Sequence, residues 1–294
     1  MDPKVAICFL VINKMKELPE IAITSAHQSS NAEIFLGYLE ESDLPFLNVG
    51  VNTNRILLDK NSYLREVNQD RLYRDFAQDS FYQIVKLKWQ LLLKVFELGY
   101  DYVIYSDTDV YWNQDPCKEL IDVFQKRREV HVQIQSFTDQ ASSPKLCMGF
   151  VAFRNSMKAK EFILDCQTRH TKYSIEIGRI GDDDIVTQYY AEKNFPEFIL
   201  ELPQTTFPVG RMLKVFSKNS RFPGLPSPVP YIFHANYVVG LRNKIILMKI
   251  FMKEYSIYDR KAKLGAHFSA ILLFKRLRYI LSRWKTVLMN QLPD

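Results

Sequence analysis

Apolar and polar positions alternate along the chain in blocks that predict strands and helices in turn. The segment KVAICFLVIN (4–13) is almost unbroken apolar sequence, the pattern of a strand buried on both faces. Residues 14–45 predict a helix and then a strand supplied by AEIFLGYL. From Tyr82 to Leu98, apolar residues at Ile84, Leu87, Leu91, Leu92, Val95 and Leu98 recur near the helical period. Gly99 follows the last turn, where helices commonly stop. A second short apolar run, YVIYS, then reads as a buried strand. Residues 50–80, which include YLREVNQDRLYRDFAQDS, are polar and mixed and predict a loop or short helices above the sheet. Residues 203–230 are dense in proline (FPGLPSPVP), which rules out regular helix or central strand and predicts a long ordered loop or a connector. No internal repeat or low-complexity tract interrupts the pattern.

Composition adds limits. A chain of 294 residues, 47% of them hydrophobic, can bury a sizeable core. Its four cysteines, at 8, 117, 147 and 166, show no CxxC spacing; they read as small buried hydrophobes in a reducing compartment. The apolar run Val5–Ile12 is too short to span a bilayer and has no basic region before it. With a start at Met1, a cytoplasmic location is expected.

Charge is unevenly placed. From Arg260 onward the chain has eight Lys or Arg and one acid, a net of +7; the total of +6 leaves −1 for everything before. Apolar residues recur there near helical spacing, with Trp284 among them, so residues 260–290 predict a basic amphipathic helix. Such a helix either meets an anionic membrane surface or packs its stripe on the domain. Nucleic acid is disfavoured, because the basic residues are confined to one helix without a recognition motif. The expected division is a catalytic domain over 1–258 and a tail over 259–294.

The candidate chemistry begins where YVIYS ends in Asp107 and Asp109. On a strand, residues two apart face the same way, so two carboxylates would repel there without a cation. Hard cations such as Mn²⁺ or Mg²⁺ take carboxylate oxygens together with substrate phosphates. A polar loop after a strand would give the same spacing. Helix, glycine, strand and paired acids form an α/β unit, and open α/β sheets bind ligands at the carboxyl edge of their strands. Asp182, Asp183 and Asp184 cluster at a helix start, in excess of what capping needs. His234 follows the apolar YIF, and by itself it is as compatible with a core histidine as with a ligand.

The run KLKWQLLLKVFELGYDYVIYSDTDVYWNQDP resembles the metal-binding core of nucleotide-diphospho-sugar glycosyltransferases with the A-type fold. Within them it is most similar to the retaining galactosyl-, xylosyl- and arabinosyltransferases, with Asp107, Thr108 and Asp109 in place of the DXD motif. Three later segments follow in family order: CMGFVAFRNS (147–156), GDDDIVTQYY (181–190) and HANYVVGLRNK (234–244). The resemblance spans roughly residues 3 to 250, and Asp183 stands where the family usually has glutamine.

What the resemblance implies is specific. The fold would be a single Rossmann-like α/β domain, its mixed, mainly parallel sheet flanked by helices, plus a C-terminal helix. The donor would be a UDP-sugar and the acceptor a glycan or glycoconjugate. Mn²⁺ or Mg²⁺ would sit on Asp107, Asp109 and His234. Val11, Asn13, Lys88, Ser106, Gly240 and Lys244 would bind the donor, while Asp182 and Asp183 would act on its sugar. Golgi members of the family carry an anchor helix at the N-terminus, and this chain shows none there. Two rival classes are a metal-dependent nucleotidyltransferase and a non-catalytic nucleotide-sugar-binding protein. Nucleotidyltransferases of similar fold usually open with a Gly-rich basic loop, which VINKMKELPE lacks.

Overall fold

The structure, a computed structural model, describes residues 2–12, 16–45, 50–59, 82, 84–136, 145–178, 180–210, 230–236, 238 and 240–262. Asn13, most of the polar stretch, the proline-dense 211–229 and nearly all of the basic tail lie outside these residues.

Seven strands form the central sheet: β1 (Val5–Leu10), β2 (Glu33–Tyr38), β3 (Thr53–Leu57), β4 (Tyr102–Ser106), β6 (Val132–Ser136), β7 (Leu146–Arg154) and β8 (Ile199–Glu201). Their order is β3-β2-β1-β4-β7-β6-β8. β7 runs antiparallel to both neighbours and the other pairings are parallel, so the sheet is mixed and mainly parallel, as expected. β5 (Val110–Trp112) and β9 (Ile232–His234) make a separate antiparallel ribbon. The helices are α1 (Glu17–Ser29), α2 (Leu87–Glu97), α3 (Cys117–Lys126), α4 (Met157–Glu176), α5 (Asp182–Glu192) and α6 (Leu241–Ala262).

Alternation along the central strands explains why these runs are apolar throughout. Ala6 and Cys8 of β1, with Val103 and Tyr105 of β4, belong to a core that includes α2, α4 and α5. Ile7, Phe9 and Ile104 belong to the other, with α1, α3 and α6. Successive side chains leave a strand on opposite faces, so a sheet covered on both sides needs apolar residues at every position. All four cysteines are buried free thiols within these layers.

Two expectations change. Part of the polar stretch, TNRIL, is the strand β3; among the described residues it is an outer edge paired only with β2, and it leaves Leu57 60% exposed, so it carries no buried alternation. The predicted helix over 82–98 is helical at 82 and 84–85, turns at 86 and continues as a regular α-helix from Leu87, with Leu98 as its exposed cap rather than part of the stripe. Gly99 does follow, with φ +79°, the left-handed conformation glycine tolerates. No helix among the described residues is long and apolar enough to cross a membrane.

Candidate functional site

The chain turns as soon as β4 ends. Asp107 N donates to Gly149 O of β7 at 2.7 Å, and Val110 N closes the turn on Asp107 O at 3.2 Å. The two acids therefore lie in a turn; the turn, and not strand alternation, sets their directions. β9 then brings in the third group. His234 pairs with Val110 across the ribbon, and Ala235 N donates to Asp109 O at 2.9 Å. Asp107, Asp109 and His234 each offer one ligand atom, all within 4.8 Å of one another. His234 Nε2 lies 3.2 Å from Asp109 Oδ1 and 4.0 Å from Asp107 Oδ2. This donor set, two carboxylate oxygens and an imidazole, fits Mn²⁺ or Mg²⁺.

Two lysines bear on the acids from opposite ends of the chain. Lys244, on α6, donates to Asp109 Oδ2 at 2.6 Å. Burial disfavours the Asp109 carboxylate, but the Lys244 ammonium opposes it and the carboxyl is held well below its usual range. Lys88, on α2, reaches Asp107 Oδ1 at 3.0 Å and Asp182 Oδ2 at 2.5 Å. Burial would strip its charge, yet Asp107 and Asp182 dominate and keep the ammonium firmly protonated. Tyr105 adds a hydroxyl to Asp107 Oδ1 at 2.8 Å, and its ring lies 4.9 Å from Lys88 Nζ.

The acidic start of α5 splits into three roles. Asp184 accepts from Gly181 N at 3.3 Å as the capping group. Asp182 is buried against Lys88. Asp183 Oδ1 accepts from Met148 N at 2.7 Å, which ties α5 to β7 beside the site. Burial, and then the neighbouring Asp182, push the Asp183 carboxyl well above its ordinary range.

The remaining expected donor-binding positions fall differently. Gly240, at φ +90°, begins α6, and its carbonyl accepts from Lys244 N at 3.1 Å, so it sets the turn that delivers Lys244. Ser106, at the end of β4, is fully buried and its hydroxyl accepts from Trp112 Nε1 at 3.2 Å. Val11 is also buried, its side chain in the core and its N–H on Gly37 O at 2.8 Å, so at most its backbone edge could serve a ligand. Asn13 lies outside the described residues.

Residues that the sequence did not single out complete the setting. Gln135 Oε1 lies 2.9 Å from His234 Nδ1. A Cβ at Gly149 would fall 1.9 Å from His234 Cε1, so only glycine leaves room for the ring. Cys147 Sγ is 3.8 Å from Nδ1 and accepts from Asn236 Nδ2 at 3.5 Å. Glycine and cysteine were visible in the CMGF strand, but nothing in the sequence indicated their contact with a histidine 85 or more residues later.

Comparison with known proteins gives a family and a fold. Residues 51–248, more than half of the 294, match the nucleotide-diphospho-sugar transferase family. No curated protein matches the chain. Among solved structures, a glycosyltransferase involved in the glycosylation of the major capsid of PBCV-1 superimposes with TM-score 0.53 at 9% identity, over 84% of this chain and 100% of that one; the fold is shared. GlyE of Streptococcus pneumoniae TIGR4 gives 0.48 at 16%, over 89% of this chain and 64% of that one. Mouse xyloside xylosyltransferase 1 in its apo form gives 0.47 at 14%, over 82% and 100%.

Proposed function

The chain belongs to the nucleotide-diphospho-sugar transferase family, and we propose that it is a cation-dependent glycosyltransferase. Its donor is a UDP-sugar such as UDP-galactose or UDP-xylose, its acceptor a hydroxyl of a glycan or glycoconjugate, and its transfer retaining. The observation that carries this is the meeting of Asp107, Asp109, His234 and Lys244 at the carboxyl edge of the sheet.

Asp107, Asp109 and His234 would hold Mn²⁺ or Mg²⁺. The bound cation supplies Lewis-acid stabilisation of the charge that develops on the leaving diphosphate. Lys244 begins on Asp109, and a diphosphate arriving beside it offers its ammonium an alternative anion. Gly240 lets the backbone approach the same group closely. Lys88 keeps Asp107 and Asp182 fixed, so both carboxylates are already oriented when donor binds. Asp183, one oxygen held by Met148 N, has its other oxygen for a sugar hydroxyl.

Retention is carried over from the branch the motifs resemble. In a front-side route the sugar–phosphate bond breaks, the acceptor oxygen joins the same face, and the departing phosphate oxygen takes the acceptor's proton. That route needs no enzymic nucleophile.

Incubation with Mn²⁺, a panel of UDP-sugars and candidate acceptors tests the proposal. Mn²⁺-dependent release of UDP with a new glycoside is expected. Release of sugar 1-phosphate from the UDP-sugar, or of pyrophosphate when UTP and a sugar 1-phosphate are supplied instead, would mark a nucleotidyltransferase, and thermal stabilisation without turnover across the panel would mark a binding protein.

A further inference from the structure

The acids meet only one nitrogen of His234, and the other is held by a side chain whose own orientation is fixed independently. Gln135 Nε2 lies 3.1 Å from Phe207 O and 3.3 Å from Pro208 O. Carbonyls only accept, so the amide NH₂ must face them and Oε1 must face away, toward His234. An acceptor 2.9 Å from Nδ1 requires the proton to be on Nδ1. The neutral ring then has its lone pair on Nε2, the nitrogen that looks at Asp107 and Asp109.

We infer that Gln135 is a positioning residue that locks His234 in the Nδ1–H form and aims its Nε2 lone pair between Asp107 and Asp109, where a divalent cation binds. The inference rests on the proposed cation site and adds the device that prepares it. Its origin is local. The register between β6 and β7 shifts after Ile134, so Ile134 opposes Val151 while Gln135 opposes Cys147. Such irregularities re-aim a side chain, here toward β9. The Gly149 backbone walls the ring on another side, and both Gln135 and His234 are buried, so water is poorly placed to substitute for the amide.

The full chain, labelled with ¹⁵N-histidine, gives the test by two-bond ¹H–¹⁵N correlation above the histidine titration range, without metal and with Mg²⁺. His234 should show a protonated Nδ1 and a bare Nε2. His170 provides a reference of the opposite tautomer, because Trp89 Nε1 donates to its Nδ1. Gln135→Met should lose the fixed tautomer and weaken Mn²⁺ binding, measured by calorimetry with UDP, about 10–100-fold. Gln135→Glu retains an acceptor beside Nδ1 and should restore most of that loss. A bare Nδ1 in the wild type overturns the inference, and so does a folded Gln135→Met with wild-type Mn²⁺ affinity. If Gln135→Met does not fold, the wild-type spectrum decides alone. Absence of any Mn²⁺ binding by the wild type would remove the cation site and this inference together, whereas Mn²⁺ binding with the wrong tautomer would remove the inference only.

Discussion

Two histidines are both buried and both hydrogen-bonded through Nδ1, yet they sit in regions with opposite purposes. His170, on α4, is lodged where α4 packs against α2. Its Nδ1 accepts from Trp89 Nε1 at 2.9 Å and its Nε2 lies 3.0 Å from Ile180 O. Both nitrogens are spent on fixed packing partners. His234, at the end of β9, spends one nitrogen on Gln135 and turns the other to two carboxylates, one of them, Asp107, 29% exposed at its side chain. Burial and partner number do not separate a structural histidine from a candidate ligand. What separates them is whether one nitrogen is left facing groups that a ligand can still reach.

The sharpest way to break that comparison is to remove the acids. Asp107→Ala leaves Lys88 paired with Asp182, so the fold should survive. It should nevertheless lose Mn²⁺-dependent UDP affinity by more than the roughly 10–100-fold that an outer partner costs. Relief of repulsion among the remaining acids should leave the melting temperature of the metal-free protein unchanged or slightly raised. Calorimetry with UDP in saturating Mn²⁺ checks it, and affinity equal to wild type would end the cation proposal.

The other region should respond in stability instead. His170→Ala strands the Trp89 N–H and the Ile180 carbonyl and leaves a cavity in the core, at a cost of about 3 kcal/mol. Urea unfolding measures that loss, and UDP affinity per folded molecule should stay at the wild-type level. A large fall in affinity would mean that the two regions are coupled.

How much of this was legible in the sequence follows the same division. β1, α2 and β4 were readable because elements buried on both faces, or along one stripe, leave strong periodic signals. β3 was not, since an edge strand buries little and its TNRIL has no apolar alternation. Asp107 and Asp109 stood out by spacing, although a turn rather than a strand orients them. His234 and Lys244 were found through a resemblance, because residues more than 120 positions beyond the acids give no local sign of meeting them. Gln135 was illegible for a related reason: VQIQS looks like any half-polar strand until the register shift re-aims one glutamine. Ser106 came from the resemblance alone, and no local signal showed that its hydroxyl would meet the Trp112 indole.

Acid should separate the regions by pH window. Burial, in the first place, lowers the pKa of His170 from 6.5 to about 4. Between those values the unfolded chain binds a proton that the folded chain refuses, so stability falls as pH drops from about 6.5 to about 4. The loss over that window is about 3 kcal/mol. The Asp109 carboxyl is depressed instead, so its contribution is intact above its ordinary 3.8 and is lost only at lower pH. Urea midpoints from pH 7 to 4 therefore combine this loss with an opposite contribution from Asp183, whose raised carboxyl gains stability as pH falls, and the difference between wild type and a His170 variant isolates the His170 part. The slope should flatten in His170→Phe, and a slope unchanged by that substitution would assign the effect elsewhere.

The smallest expected effect probes whether α4 can be loosened without touching the site. Ser156 is the N-cap of α4, and its hydroxyl accepts from Ala159 N at 3.2 Å. It also lies 2.9 Å from His131 Nδ1, which joins the cap to the strand side of the sheet. Ser156→Ala removes the cap acceptor and should cost about 1 kcal/mol, whereas Ser156→Gly should cost only a few tenths for the cap itself. Any excess of the glycine variant over that figure measures the lost contact with His131. Neither change reaches Asp107, Asp109 or His234, so Mn²⁺-dependent UDP affinity should match wild type in both. Stability loss with constant affinity would support treating α4 as packing. A shift in affinity from this distant cap would show strain passing through α5, whose Asp183 is bonded to Met148 N, into the strand that walls His234.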